Sequence, residues 1–195
     1  AILLFFILGL FSTRESRNEN QPFVSIVIPA RNEKDHIENI LQDVVHQTYP
    51  VDYYEIIVVD DESSDITSNL VNAFSQRYPN VKPMSSQEGS PHLKNKKRAL
   101  DVGIRASKGE IVLVTDADCR VTSRWVETMV SYFTPDVGFA IGHSQVDSNE
   151  TLNQQIEALD YLMLSAAARS TAQFGVPFAC TGQNLAYRRA AFDEV

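Results

Sequence analysis

The stretch "EIVLVTDADC", Glu110 to Cys119, is an apolar run that ends in two carboxylates one residue apart. Glu110–Val114 reads as a short buried strand, rich in β-branched and aliphatic residues. Asp116 and Asp118 then stand at its mouth. Two negative charges so placed repel unless solvent, a cation or a hydrogen-bonded ligand compensates them.

The same grammar repeats upstream. "VSIVI" (Val24–Ile28) and "EIIVV" (Glu55–Val59) are two further short strands, and Val81–Ser85 is a weaker one. Amphipathic helices separate them. Glu33–Val45 carries Ile37, Ile40, Leu41, Val44 and Val45 at helical spacing, with Asn32 as its N-cap and Asp35 three residues on. Asp65–Tyr78 carries Ile66, Leu70 and Phe74 on one face and stops at Pro79. A third helix spans Lys97–Ser107, ending before Gly109. Downstream, Ser123–Phe133 is predicted helical, Val137–Ile141 a strand and "NLAYRR" a short strand, while Thr151–Ala172 is a long helix with Leu152, Ile156, Leu159, Met163 and Ala166 on one side, expected to pack on the sheet rather than lie at a membrane interface. Apolar strands alternating with amphipathic helices predict an α/β fold, a Rossmann-like, mostly parallel sheet with helices on both faces. In such sheets ligands bind beyond the carboxyl ends of the strands.

The bulk properties agree with one globular domain. The chain has 195 residues, 44% hydrophobic and 22% charged, with a formal net charge of −8. That balance argues against nucleic acid as a partner, since a nucleic-acid binder needs a basic face. Two cysteines, Cys119 and Cys180, form no CxxC pair, and the four histidines are scattered, so neither a disulfide scaffold nor a zinc site is expected. The chain opens on "AILLFFILGLF", eleven residues against the roughly 20 needed to span a bilayer. A truncated membrane helix, a signal-peptide core and a buried helix compete here; the missing small-x-small cleavage pattern favours the first. The expected organisation is residues 1–11 as a truncated transmembrane or signal-anchor segment, 12–22 as a polar linker, and 23–195 as a catalytic domain. The end at "AAFDEV" suggests that this domain is incomplete at its C-terminus. Arg14 and Arg17 beside the apolar start agree with a cytoplasmic flank.

Three strands end in polar or acidic clusters, "PARNE", "DDESSD" and "TDADC", which should share one edge. Asp60 and Asp61 could serve as a turn and helix cap, but Ser63, Ser64 and Asp65 already meet that need. The helix after Asp116 and Asp118 starts too late for capping to explain that pair. Carboxylates on a rigid strand end suit a hard cation, Mg2+ or Mn2+, which completes its shell with phosphate oxygens. The basic stretch "HLKNKKRAL" puts Lys94, Lys96, Lys97 and Arg98 at a helix start, the unfavourable end for cations. A solvated charged face and a lysine meeting a phosphate near the metal both account for it.

In this order, "VSIVIPARNE", "EIIVVDDESSD", "NKKRAL", "LVTDADC" and "CTGQNLAYRRAAFDEV" resemble family 2 glycosyltransferases, from about Val24 to the end of the chain. The resemblance implies a GT-A fold and an inverting, metal-assisted transfer from a nucleotide-diphosphate sugar to a glycan, lipid or other acceptor. It implies a role in cell-envelope or polysaccharide synthesis, at a membrane, with the catalytic domain facing the cytoplasm. Pro29, Arg31 and Glu33 match the loop lining the nucleotide pocket, although Arg31 replaces a common aromatic there. Asp60 and Asp61 match the acidic pair that hydrogen-bonds the base. Lys96 matches the lysine of a "GKAGAL"-like motif near the nucleotide. Asp116 and Asp118 match the DxD motif, with Asp118 as metal ligand and Asp116 as partner of the ribose or of metal-bound water. Gly182, Gln183 and Asn184 match a stretch on the acceptor side. The family's general base lies in a Glu-Asp motif beyond Val195, so the fragment alone is expected to bind a donor but to transfer little. The alternatives are a receiver domain of the response-regulator type, suggested by "IIVVDDE", a DxD phosphohydrolase, which Cys119-Arg120 fits poorly, and a non-catalytic nucleotide-sugar-binding relative.

Overall fold

The structure is a computed structural model that describes residues 18, 20–145, 151–175 and 182–194. The elements are β1 (Val24–Ala30), α1 (Ile37–Val45), β2 (Tyr54–Asp60), α2 (Thr67–Arg77), β3 (Val81–Ser85), α3 (Lys96–Ala106) and β4 (Ile111–Thr115). They are followed by α4 (Trp125–Ser131), β5 (Phe139–Ile141), α5 (Leu152–Gln173), β6 (Asn184–Arg188) and α6 (Arg189–Asp193). One six-stranded sheet has the order β3-β2-β1-β4-β6-β5. The first four strands in that order are mutually parallel, while β6 runs antiparallel to both β4 and β5.

The central strands are mostly apolar because both faces of the sheet are covered, Ser25 and Glu55 being buried polar exceptions. Val24, Ile26, Ile28, Tyr54, Ile56, Val58, Ile111 and Leu113 face one side, against Ile37, Ile40, Leu41 and Val44 of α1, Val71 and Phe74 of α2, and Trp125, Val126, Met129 and Val130 of α4. On the other side, Val27, Val112 and Val114 meet Leu100 and Ile104 of α3 and Phe192 of α6, while Ile57 and Val59 meet Ala99 and Val102. Helix α3 lies flush on β1 because position 103 is glycine: a Cβ there would collide with Cγ1 of Val27.

Two expectations are corrected. Helix α1 starts at Ile37, not Glu33, and Asn32 is not its N-cap. Asn32 has φ 56°, and its Oδ1 accepts from Ser64 N at 2.8 Å. The Glu33 and Lys34 amides donate to Thr67 Oγ1 (2.8 Å) and Asp65 Oδ2 (3.3 Å). Those amides tie the segment to the head of α2, and regular helix begins only at Ile37. The second correction concerns α5, which was expected to pack into the core. Leu152 (72% exposed), Ile156, Leu159, Leu162 and Met163 face outward, and among the helix's buried residues are Ala168, Ser170 and Thr171 near its end. The small or polar residues Gln154, Ala158, Tyr161 and Ser165 lie on the half-buried side. Spacing identified the stripe correctly, but it could not say that the stripe points away from the sheet.

No helix among the described residues is long and apolar enough to cross a membrane. The segment 1–11, the linker up to Arg17 and Cys180 lie outside the described residues.

Candidate functional site

Because β3, β2, β1 and β4 are parallel neighbours, their carboxyl ends open on one edge. That edge collects Arg31 and Glu33 after β1, Asp60 to Ser64 at the end of β2, Ser86 after β3, and Asp116 and Asp118 after β4. Strand β6, running the other way, starts on the same edge: Asn184 pairs in register with Thr115. The residues expected to act together therefore share one rim, although they span more than 150 positions of the chain.

The backbone around this rim is unusual. Among the described residues, three non-glycine residues have left-handed φ, namely Asn32 (56°), Glu62 (59°) and Asn95 (54°). They stand in the loop after β1, in the loop after β2 and just before α3. Such conformations persist only where surrounding contacts enforce them, and they cluster at functional sites.

The two aspartates at the end of β2 have different surroundings. Asp61 is 3% exposed and its amide donates to Ala30 O. Ser86 Oγ donates to Asp61 Oδ1 at 2.7 Å; Arg98 Nη2 lies 3.6 Å from the same oxygen, and Arg31 Nη1 lies 3.6 Å from Oδ2. A carboxylate that deep needs such compensation. Arg98 also donates to Glu62 Oε1 at 2.8 Å and to Ser86 Oγ at 3.2 Å, tying α3 to the ends of β2 and β3. Asp60 Oδ2 accepts from Ser63 N at 3.4 Å, whereas its Oδ1 is buried without a hydrogen-bond partner among the described residues. At the head of α2, whose N-cap position is Ile66, Asp65 Oδ1 accepts from Thr67 N at 2.9 Å and Thr67 Oγ1 at 2.5 Å. Asp60 and Asp61 are thus free of the capping duty, as their spacing suggested. Pro29 is buried within β1, level with Val59.

At the end of β4, Ala117 is buried in the core while its two neighbours face the rim, Asp118 exposed and Asp116 half-buried. Lys96 Nζ is 2.6 Å from Asp116 Oδ1, a contact of opposite charges rather than an aligned hydrogen bond. Lys96 opens α3, so its ammonium reaches this acidic end instead of crowding the helix dipole. Gly182 stands beside it: a Cβ there would be 3.6 Å from Lys96 Nζ. The field near Asp118 is negative. Burial, then Asp118, push the Glu33 carboxyl above its usual value; His36 opposes this, and Asp116 and Asp65 add to it. Burial and the neighbouring Asp118 likewise raise the Cys119 thiol, which argues against a nucleophilic cysteine.

No group of three or more His, Cys, Asp or Glu side chains among the described residues forms a preassembled metal cage. Two carboxylates on one side of a strand end nevertheless fit a hard divalent ion that draws most of its ligands from water and phosphate.

At the start of β6, Asn184 is engaged on both ends of its amide. Trp125 Nε1 donates to Oδ1 at 2.9 Å, and Nδ2 donates to His143 O at 2.9 Å. Gln183 Oε1 accepts from Tyr161 OH at 3.1 Å, which joins this stretch to α5. Sequence reasoning missed Ser86, Arg98 and Glu62 as surroundings of Asp61, and Trp125 as partner of Asn184. Arg98 lies inside the quoted basic run, but nothing in its spacing sets it apart from Lys94 or Lys97. The other three lie in turns or helices where polar residues are unremarkable.

Comparison with known proteins places this rim in context. The model of the family described as glycosyl transferase family 2 matches residues 25–195. Glycosyltransferase AglE of Haloferax volcanii is 38% identical over 112 residues, 56% of this chain and 35% of that protein. The probable glycosyltransferase YdaM of Bacillus subtilis is 42% identical over 105 residues, 54% of this chain and 24% of that one. The chain thus spans about a quarter to a third of these relatives' length. Among solved structures, mannosyltransferase PcManGT from Pyrobaculum calidifontis, in complex with GDP-Man and Mn2+, superposes with a TM-score of 0.72 at 20% identity, covering 99% of this chain and 53% of its own. The fold is therefore GT-A-like, and the receiver and phosphohydrolase alternatives find no support.

Proposed function

The chain belongs to glycosyl transferase family 2, and from that premise we propose that its rim is the donor site of a transferase that takes a sugar from a nucleotide diphosphate. The observation that carries this is the convergence of two diacidic strand ends and the polar end of β1 on one edge, with the Lys96 ammonium 2.6 Å from Asp116. A nucleotide diphosphate needs a base-reading acid, cations for its phosphates and room between them.

Asp61, held rigid by Ser86 and flanked by Arg31 and Arg98, is the base-side acid. Asp60 supports it with its unpaired oxygen, and Pro29 and Glu33 frame the loop that carries Arg31. Lys96 faces the diphosphate. Asp118, with Asp116, would hold Mg2+ or Mn2+. When bound, that ion neutralises charge on the departing diphosphate. Gly182, Gln183 and Asn184 form the side toward the acceptor, with Asn184 serving as a fixed post because both ends of its amide are occupied. GDP-Man with Mn2+ in PcManGT is the precedent for such a donor and ion on this fold. We assign the acceptor to the glycan and lipid classes of the cell envelope. We assign the protein to the cytoplasmic face of a membrane, tethered by the apolar segment 1–11.

The test is calorimetric titration of the chain with UDP and with GDP, with and without Mn2+, beside Asp118→Ala. Binding that requires Mn2+ and is lost in Asp118→Ala is the expected result, and the tighter nucleotide identifies the base. Equal binding with and without the ion, or an unaffected Asp118→Ala, overturns the assignment.

A further inference from the structure

The acidic loop has a problem that its own residues do not solve. Asp116 has Lys96, but Asp118 is exposed, on a loop after β4 that lies outside the regular elements. Something must hold it in a geometry that an ion can use.

The holder is the far end of α1. Asp43 is turned toward the loop two residues past Asp118 and receives it with both oxygens. Arg120 Nε donates to Oδ2 at 2.6 Å and Arg120 Nη2 to Oδ1 at 2.8 Å, a two-pronged pairing, while Val121 N adds a third bond to Oδ2 at 3.1 Å. The next turn of the same segment continues the grip. Gln47 Nε2 donates to Thr122 O at 2.9 Å, Gln47 Oε1 accepts from Val126 N at 3.0 Å, and Thr48 N donates to Ser123 O at 2.7 Å. From Arg120 to Val126 the loop is fastened to one short stretch of chain. On its other side β4 fixes it through the sheet. Asp118 lies between these two attachments, with the Cys119 amide closed onto Asp116 O at 3.2 Å. Arg120 is mostly exposed, so this pairing adds little to global stability. Two parallel bonds to a planar guanidinium do, however, fix direction.

We propose that Asp43 is a positioning residue for the metal-holding loop: through Arg120 and the Val121 amide it sets the place of Asp118, and it touches neither ion nor donor. This rests on the donor-site assignment above. The ligand it serves is a divalent cation presented together with a nucleoside diphosphate.

The test uses the whole chain and two readouts. The first is Mn2+ affinity in the presence of saturating UDP or GDP, read from the electron paramagnetic resonance signal of free Mn2+. The second is amide hydrogen exchange over Cys119–Thr122 without metal or nucleotide. Asp43→Ala is expected to weaken Mn2+ about tenfold and to speed exchange of those amides. Asp43→Asn keeps an acceptor for Val121 N and is expected to recover about half of that loss on a logarithmic scale. Phe74→Leu, a core change on α2, is the control: it lowers Tm and is expected to leave Mn2+ affinity unchanged. An Asp43→Ala chain with Mn2+ affinity within twofold of the parent overturns the proposal, as does an equal loss in Phe74→Leu. If the parent chain binds no Mn2+ with either nucleotide, the donor-site assignment fails and the metal-positioning role falls with it. The exchange arm then shows separately whether Asp43 orders the loop at all, and unchanged exchange removes the bracket too.

Discussion

Single side chains at opposite ends of the same strand carry opposite tasks. Asp61, just past the carboxyl end of β2, is a buried acid at the rim. Glu55, one residue into that strand, is a buried acid turned into the fold, 2% exposed. Burial pushes the Glu55 carboxyl up. Hydrogen bonds from Lys82 Nζ, Ser25 Oγ (2.6 Å) and Lys108 N (2.7 Å), together with the Lys82 charge, outweigh burial and leave it below its ordinary value. A lowered carboxyl binds its proton less readily folded than unfolded. Its contribution is therefore complete above the unfolded value of about 4.5 and is lost as pH falls through the folded value. Glu55→Gln is expected to cost about 2 kcal/mol at pH 7, given that hydrogen bonds to a charged group are the ones weakened. The gap to the parent should shrink as pH drops below 4.5. Urea denaturation at several pH values checks both parts, and a constant gap would refute the ionic origin.

Elements show what periodicity tells and what it withholds. The strands were legible because a strand covered on both sides has no room for polar alternation, so "VSIVI", "EIIVV" and "EIVLV" had no competing explanation. Helix starts were less legible. The beginning of α1 depends on where the amides of Glu33 and Lys34 send their hydrogen bonds, and they send them to α2 some 30 residues on. No local cue reports such a partner. Helix α5 is the sharper case. Leu152, Ile156, Leu159 and Met163 make a regular stripe, which ordinarily faces a core, yet these side chains are exposed. Leu159→Ser should then change stability by under about 0.5 kcal/mol. Ile40→Ala, inside α1's wholly buried stripe, should cost about 3 kcal/mol. Thermal or urea unfolding of the two variants compares them directly; a large loss in Leu159→Ser would place that face against the body of the protein.

At the scale of the molecule, the shared rim was legible in kind because a parallel sheet collects its strand ends, and two of those ends were diacidic. What stayed hidden was how the antiparallel β6 joins them. Its first residue, Asn184, links three parts of the chain at once: Trp125 of α4, the His143 carbonyl after β5, and the Thr115 register of β4. Removing that amide strands the buried Trp125 Nε1 donor, so Asn184→Ala is expected to cost about 1–2 kcal/mol. Trp125 is the chain's one tryptophan, so its fluorescence reports the change without ambiguity. An unshifted emission spectrum and unchanged urea midpoint would show that the post is dispensable.

The strand order has a consequence for the chain as it is being made. Strand β1 lies at the centre of the sheet, with β2 on one flank and β4 on the other. β2 follows β1 at once, and β3 follows β2, so one half of the sheet is ready early. The second flank of β1 waits until residues 111–115 have been synthesised. Throughout that interval the nascent chain carries the unpaired edge of a mostly apolar strand, the sort of edge that recruits foreign strands. Protection of the growing polypeptide, by a chaperone or by the ribosome surface, matters most in the window between β3 and β4, and it ends when the strand bearing the two aspartates takes its place.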